Sequence, residues 1–128
     1  MPQVPIVSII DDDVSVRDAT NGLVRSLGYT AHSFASAEEF LRSDSANDTS
    51  CVIADVQMPG MSGIELQSVL ITRGRRVPII FITAFPDEGS RARALDAGAI
   101  CFLTKPFKGA TLISCLETAL GRDWSDDD

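Results

Sequence analysis

Short β-branched runs alternate with helical periods along almost the whole of this 128-residue chain. Strand-like segments fall at 5–10 (PIVSII), 30–34 (TAHSF), 51–54 (CVIA), 78–82 (PIIFI) and 100–103 (ICFL). Between the first two, Val16, Ala19, Leu23 and Leu27 recur at helical spacing until Gly28, a glycine placed to end a helix. Ser36 with Glu39, and Ser62 with Glu65, have the spacing of capping boxes and open a second and a third helix. A fourth helix runs through SRARALDA to Gly98, and a fifth carries Leu112, Ile113, Leu116 and Leu120 on one face.

Consecutive strands joined through helices must lie parallel, because parallel neighbours need a crossover and crossovers are right-handed. The expected fold class is therefore α/β, a (βα)5 chain forming a doubly wound five-stranded parallel sheet. Near-continuous apolar strands such as PIIFI fit burial on both faces. With 45% hydrophobic residues the chain holds enough apolar side chain for one packed core. Residues 1–121 read as that domain and 122–128 as an acidic, solvated tail.

Eighteen acidic against 11 basic residues give a net charge of -7, with no basic face for a phosphate backbone. Nucleic-acid binding is not expected. Cys51, Cys101 and Cys115 show no pairing or metal spacing and read as small buried residues of a reducing compartment. No apolar run approaches a membrane span and no basic-then-apolar leader precedes the first strand, so a cytoplasmic, soluble protein is expected.

In a doubly wound sheet, ligands sit outside the carboxyl ends of the strands. Four of the five strands end there in a polar or reactive residue: Asp11 and Asp12, then Asp55, Thr83 and Lys105. Two carboxylates about 5 Å apart repel by roughly 3 kcal/mol at an effective dielectric near 20. The run Asp11, Asp12, Asp13 after PIVSII therefore calls for a cation. Three carboxylates at one point make a hard oxygen site suited to Mg²⁺. A metal, an ammonium and a hydroxyl together would neutralise three phosphoryl oxygens, which points to phosphoryl transfer onto a carboxylate.

The segments IIDDD, ADVQMPGMSGIEL, FITA, DAGA and FLTKPF stand in an order and spacing that resemble response-regulator receiver domains of the FixJ-like kind, over roughly residues 4 to 121. The resemblance implies a flavodoxin-like strand order 2-1-3-4-5 and a role in two-component phosphorelay rather than turnover of a substrate. It implies that Asp55 accepts phosphate from the phosphohistidine of a sensor histidine kinase or phosphotransfer protein. Asp12 and Asp55 would ligate Mg²⁺ directly, Asp11 partly through water, and the backbone carbonyl of Gln57 would complete the set. Thr83 would hydrogen-bond one phosphoryl oxygen and Lys105 pair with another, with a cis Lys105–Pro106 bond. Phe102 matches the switch aromatic. The face of the fourth helix, fifth strand and fifth helix would then meet an output protein or self-associate.

Other residues have simpler readings. Asp13 is a surface acid or a helix cap, His32 a packing residue, Trp124 a cover for the last helix, and Pro59, Gly60 and Gly63 turn chemistry after Asp55. A rival from the enzyme class fits IIDDDVS to a haloacid-dehalogenase-like phosphatase, with Asp11 as nucleophile and Asp13 as general acid. The late acidic pair that such enzymes place after the lysine is missing. Because ALGRDWSDDD ends in acid, a stand-alone receiver is the expected organisation.

Overall fold

The computed structural model describes residues 4–121. Five strands, β1 (Ile6–Ile10), β2 (Thr30–Phe34), β3 (Cys51–Asp55), β4 (Ile79–Thr83) and β5 (Cys101–Thr104), form one sheet of order β2-β1-β3-β4-β5. Every pairing is parallel, as alternation with helices requires. The helices are α1 (Val14–Ser26), α2 (Ala37–Arg42), α3 (Ser45–Asp48), α4 (Gly63–Thr72), α5 (Glu88–Asp96) and α6 (Gly109–Leu120).

Side-chain alternation along the strands divides the core in two. Val7, Ile9, Ile53, Ile80 and Ile82 face α1 and α6, where Val24, Leu112 and Leu116 are buried. Ile10, Val52, Ala54, Ile79 and Phe81 face the other way, onto Phe40 of α2, Leu66 and Leu70 of α4 and Ala94 of α5. The interior strands β3 and β4 are buried along their whole length, which explains their unbroken apolar sequences. The register pairs Ile10 with Ala54, Asp55 with Ile82 and Thr83 with Thr104, so the carboxyl ends of β1, β3, β4 and β5 finish almost level. No helix among the described residues is long and apolar enough to cross a membrane.

Four details depart from the sequence reading. Among the described residues there are six helices, because α3 adds a single turn that makes the expected third, fourth and fifth helices α4, α5 and α6. One turn cannot show a helical period; Arg75 holds its end from afar, donating from Nε to the Ala46 carbonyl (3.2 Å) and from Nη2 to that of Thr49 (3.0 Å). At α2, Ser36 Oγ caps Glu39 N–H, but the Glu39 carboxylate accepts from Ala35 N–H, one residue too early for a full box. The box at Ser62 and Glu65 is complete. His32 is exposed on β2, its Nδ1 2.8 Å from Ser45 Oγ, instead of packed.

The fourth departure concerns the cysteines. Cys101 and Cys115 form a disulfide, with Cα atoms 6.3 Å apart, while Cys51 is free and buried. Spacing could not show this pairing, because only the packing of α6 on the sheet brings the inward side of β5 against the apolar face of the helix. Trp124 and the acidic tail lie outside the described residues.

Candidate phosphoryl-transfer site

Asp11 lies one residue beyond β1 and is fully buried, its backbone N–H donating to the Phe34 carbonyl at 3.1 Å. Its Oδ1 accepts from Asp13 N–H at 2.9 Å. Asp12 beside it is exposed. Asp55 ends β3 at 5% exposure, and its Oδ1 accepts from Gln57 N–H at 3.1 Å. One carboxylate oxygen from each of Asp11, Asp12 and Asp55 falls within 4.8 Å of the others.

Lys105, just past β5, reaches between the two buried acids. Its Nζ lies 3.0 Å from Asp55 Oδ2 and 3.0 Å from Asp11 Oδ2. The Asp55 contact is an aligned hydrogen bond, whereas Asp11 Oδ2 is left buried without one. Burial pushes the Asp11 carboxyl above its ordinary range, against the pull of Asp13 N–H and the Lys105 ammonium. Burial also opposes the charge on Lys105, but its contacts with Asp55 and Asp11 prevail and raise its pKa. One ammonium thus reaches two acids of a cluster of three, and a buried carboxylate oxygen lacks an aligned donor. A hard oxygen-seeking cation fits that set.

Thr83 ends β4 fully buried, while its backbone carbonyl accepts from Lys105 N–H at 2.7 Å. The Thr83 hydroxyl donates to Gln57 Oε1 (3.2 Å) and accepts from Phe85 N–H (3.0 Å). The Gln57 amide also donates to the Phe85 carbonyl at 3.4 Å, so it bridges the loops after β3 and β4. The Lys105–Pro106 bond is cis, as expected. Phe102 is half-buried on the α5 side of β5, its ring centroid 6.3 Å from that of Phe81. It also borders a shallow cavity of about 260 Å³ between β5 and the start of α5.

All the strand-end residues expected from sequence therefore meet at one edge of the sheet. Residues the sequence reading missed support them. Arg17, on the first turn of α1, donates from Nη1 to the Asp11 carbonyl at 2.7 Å. Glu38 of α2 accepts from Met61 N–H at 2.9 Å and so ties down the loop after Asp55. Gly63, read from sequence as turn chemistry, does close the loop after Asp55, its N–H donating to the Val56 carbonyl at 2.9 Å, and it also starts α4; a Cβ there would strike the Asp55 carbonyl oxygen and lie 3.0 Å from the Phe81 ring. No local pattern announces these contacts, since each joins segments that meet only in the fold. Asp13 takes the simpler of its readings: it caps α1, accepting from Ser15 N–H (2.9 Å) and Val16 N–H (3.3 Å).

A family model described as the response regulator receiver domain matches residues 7–117. The chain is 42% identical over 118 residues to the response regulator protein TmoT of Ectopseudomonas mendocina, covering 92% of this chain and 54% of TmoT. It is 38% identical over 122 residues to the transcriptional regulatory protein FixJ of Azorhizobium caulinodans, covering 95% of this chain and 58% of FixJ. Among solved structures, a response regulator receiver protein from Burkholderia phymatum superposes with a TM-score of 0.78 at 47% identity, covering 91% of this chain and 95% of that one. The chain spans about half the length of the curated relatives it matches. The phosphatase alternative finds no support among them, and the acid it needs at Asp13 is engaged as a helix cap.

Proposed function

We propose, for a chain that belongs to the response regulator receiver domain family and so to phosphorelay signal transduction, that Asp55 is the phosphoryl acceptor. The observation that carries this is the Lys105 ammonium held 3.0 Å from Asp55 Oδ2 beside the Asp11 and Asp12 pair. The donor is a phosphohistidine on a sensor histidine kinase or phosphotransfer protein, met in the cytoplasm. The P–N bond breaks, a P–O bond to the Asp55 carboxylate forms, and imidazole departs.

Each side chain has a role in that step. Lys105 neutralises a phosphoryl oxygen as charge spreads over the transferred group. Thr83 turns its hydroxyl from Gln57 to another oxygen. Asp11, Asp12, Asp55 and the Gln57 carbonyl would hold Mg²⁺. An ion held there would screen the acids and the phosphoryl oxygens from one another. Arg17, Glu38 and Gly63 keep the acids and their loop in place. Phe102 reports the movement of Thr83 to the face of α5, β5 and α6, which meets an output protein or a second copy of the chain. The phosphoryl-accepting domain is residues 1–121.

Incubation with acetyl phosphate over a Mg²⁺ titration tests the metal and the acceptor together. Labelling is expected to rise with Mg²⁺, to stop in excess chelator and to be lost in Asp12→Ala. Equal labelling in chelator contradicts the metal assignment.

A further inference from the structure

Cys101 opens β5 and Cys115 lies midway along α6, and their bond plays no part in the phosphoryl chemistry. Along β5, Cys101 and Leu103 point to the α6 side of the sheet, whereas Phe102 points to the α5 side. The bond therefore ties the strand that presents Phe102 to the helix flanking it. The ring it closes spans a sequence separation of 14 and contains both Phe102 and Lys105.

We propose that Cys101 and Cys115 are a reversible dithiol–disulfide couple that restrains the β5–α6 limb, and with it the face through which the phosphorylated domain acts. The restraint itself follows from geometry; its effect on signalling rests on the reading of Phe102 given above. Residue Cys115 is 5% exposed and Cys101 only half-buried, so Cys101 meets a reagent first.

The electron acceptor is a small-molecule disulfide of the glutathione class. Cys101, as thiolate, attacks one of its sulfurs; the reagent's S–S bond breaks and one thiol departs. The Cys115 thiolate then attacks Cys101 Sγ and expels the second thiol. Two electrons pass to the reagent, and the two cysteine protons end on the two released thiols. Cys51 is excluded from this exchange, being fully buried on β3 with its thiol pushed up to about 12 by burial. It serves as an internal control.

The test equilibrates the full chain in glutathione buffers of graded oxidised-to-reduced ratio, quenches with an alkylating reagent after denaturation, and reads mass and hydrogen exchange. One alkyl group is expected on the oxidised form, at Cys51, and three on the reduced form. Amide exchange within residues 102–114 should slow by roughly tenfold on oxidation. In Cys101→Ala and in Cys115→Ala it should ignore the buffer. Asp55 should label from acetyl phosphate in both forms, with a larger chemical-shift response at Phe102 in the reduced one.

Three alkyl groups at every ratio, or identical exchange in both forms, would overturn the couple. Equal Phe102 responses in two well-labelled forms would overturn its link to signalling. Failure of both forms to label, with the exchange difference intact, would instead strike at the phosphoryl reading and leave the couple standing.

Discussion

Lys105 is the residue on which the local charge balance turns, because its ammonium lies between two buried carboxylates that would otherwise face each other. Removing one partner of such a buried pair costs about 3–5 kcal/mol. Lys105→Met should lose about that much stability in chelator, as read by urea unfolding. Added Mg²⁺ should restore part of it, since a cation can take the place of the ammonium; a loss indifferent to Mg²⁺ would count against a metal site here. Asp13 gives the complementary test. As the cap of α1 it contributes about 1 kcal/mol, so Asp13→Ala should lower stability by that amount and leave acetyl phosphate labelling intact. A general acid at that position would show the reverse pattern, with activity lost and stability little changed.

At the level of elements, α4 shows how one position joins packing to the site. Its first residue must be small, because the Asp55 carbonyl and the Phe81 ring leave no room for a methyl group. Gly63→Ala should destabilise by about 1–3 kcal/mol through overpacking and slow the labelling of Asp55. A melting curve and a labelling time course check both effects; a variant equal to the parent in both would contradict the contact. The strands that place the site were readable from their apolar runs, since IIFI and CVIA are buried on both faces and lead into the residues that matter. Asp11, Asp55, Thr83 and Lys105 could be gathered in advance because a parallel sheet brings strand ends to one edge. α3 could not be read, because its single turn depends on Arg75, some 29 residues away from Ala46. The Cys101–Cys115 bond, the Gln57 amide bridge and the grip of Glu38 on Met61 were hidden for the same reason: each is a meeting of faces, not a pattern along the chain.

Across the whole molecule, the resting hydrogen bonds of Thr83 would set the scale of the proposed response. Its hydroxyl already donates to Gln57, so turning to a phosphoryl oxygen exchanges a neutral hydrogen bond for a charge-assisted one. The gain is the difference, about 1 kcal/mol, which moves a two-state equilibrium roughly five-fold. Thr83→Ala should therefore still take up phosphate at Asp55 while losing that shift at Phe102 and around Arg91 and Arg93, as seen by NMR with beryllofluoride, a phosphoryl mimic. Equal shifts in Thr83→Ala and the parent would rule out the coupling. Everything at the larger scale nevertheless depends on which carboxylate carries the phosphoryl group. Peptide mapping by mass spectrometry after brief exposure to Mg²⁺ and acetyl phosphate decides this directly. One acid-labile group should appear on the peptide bearing Asp55 and vanish in Asp55→Asn, whereas a group on Asp11 that persists in Asp55→Asn would contradict the assignment.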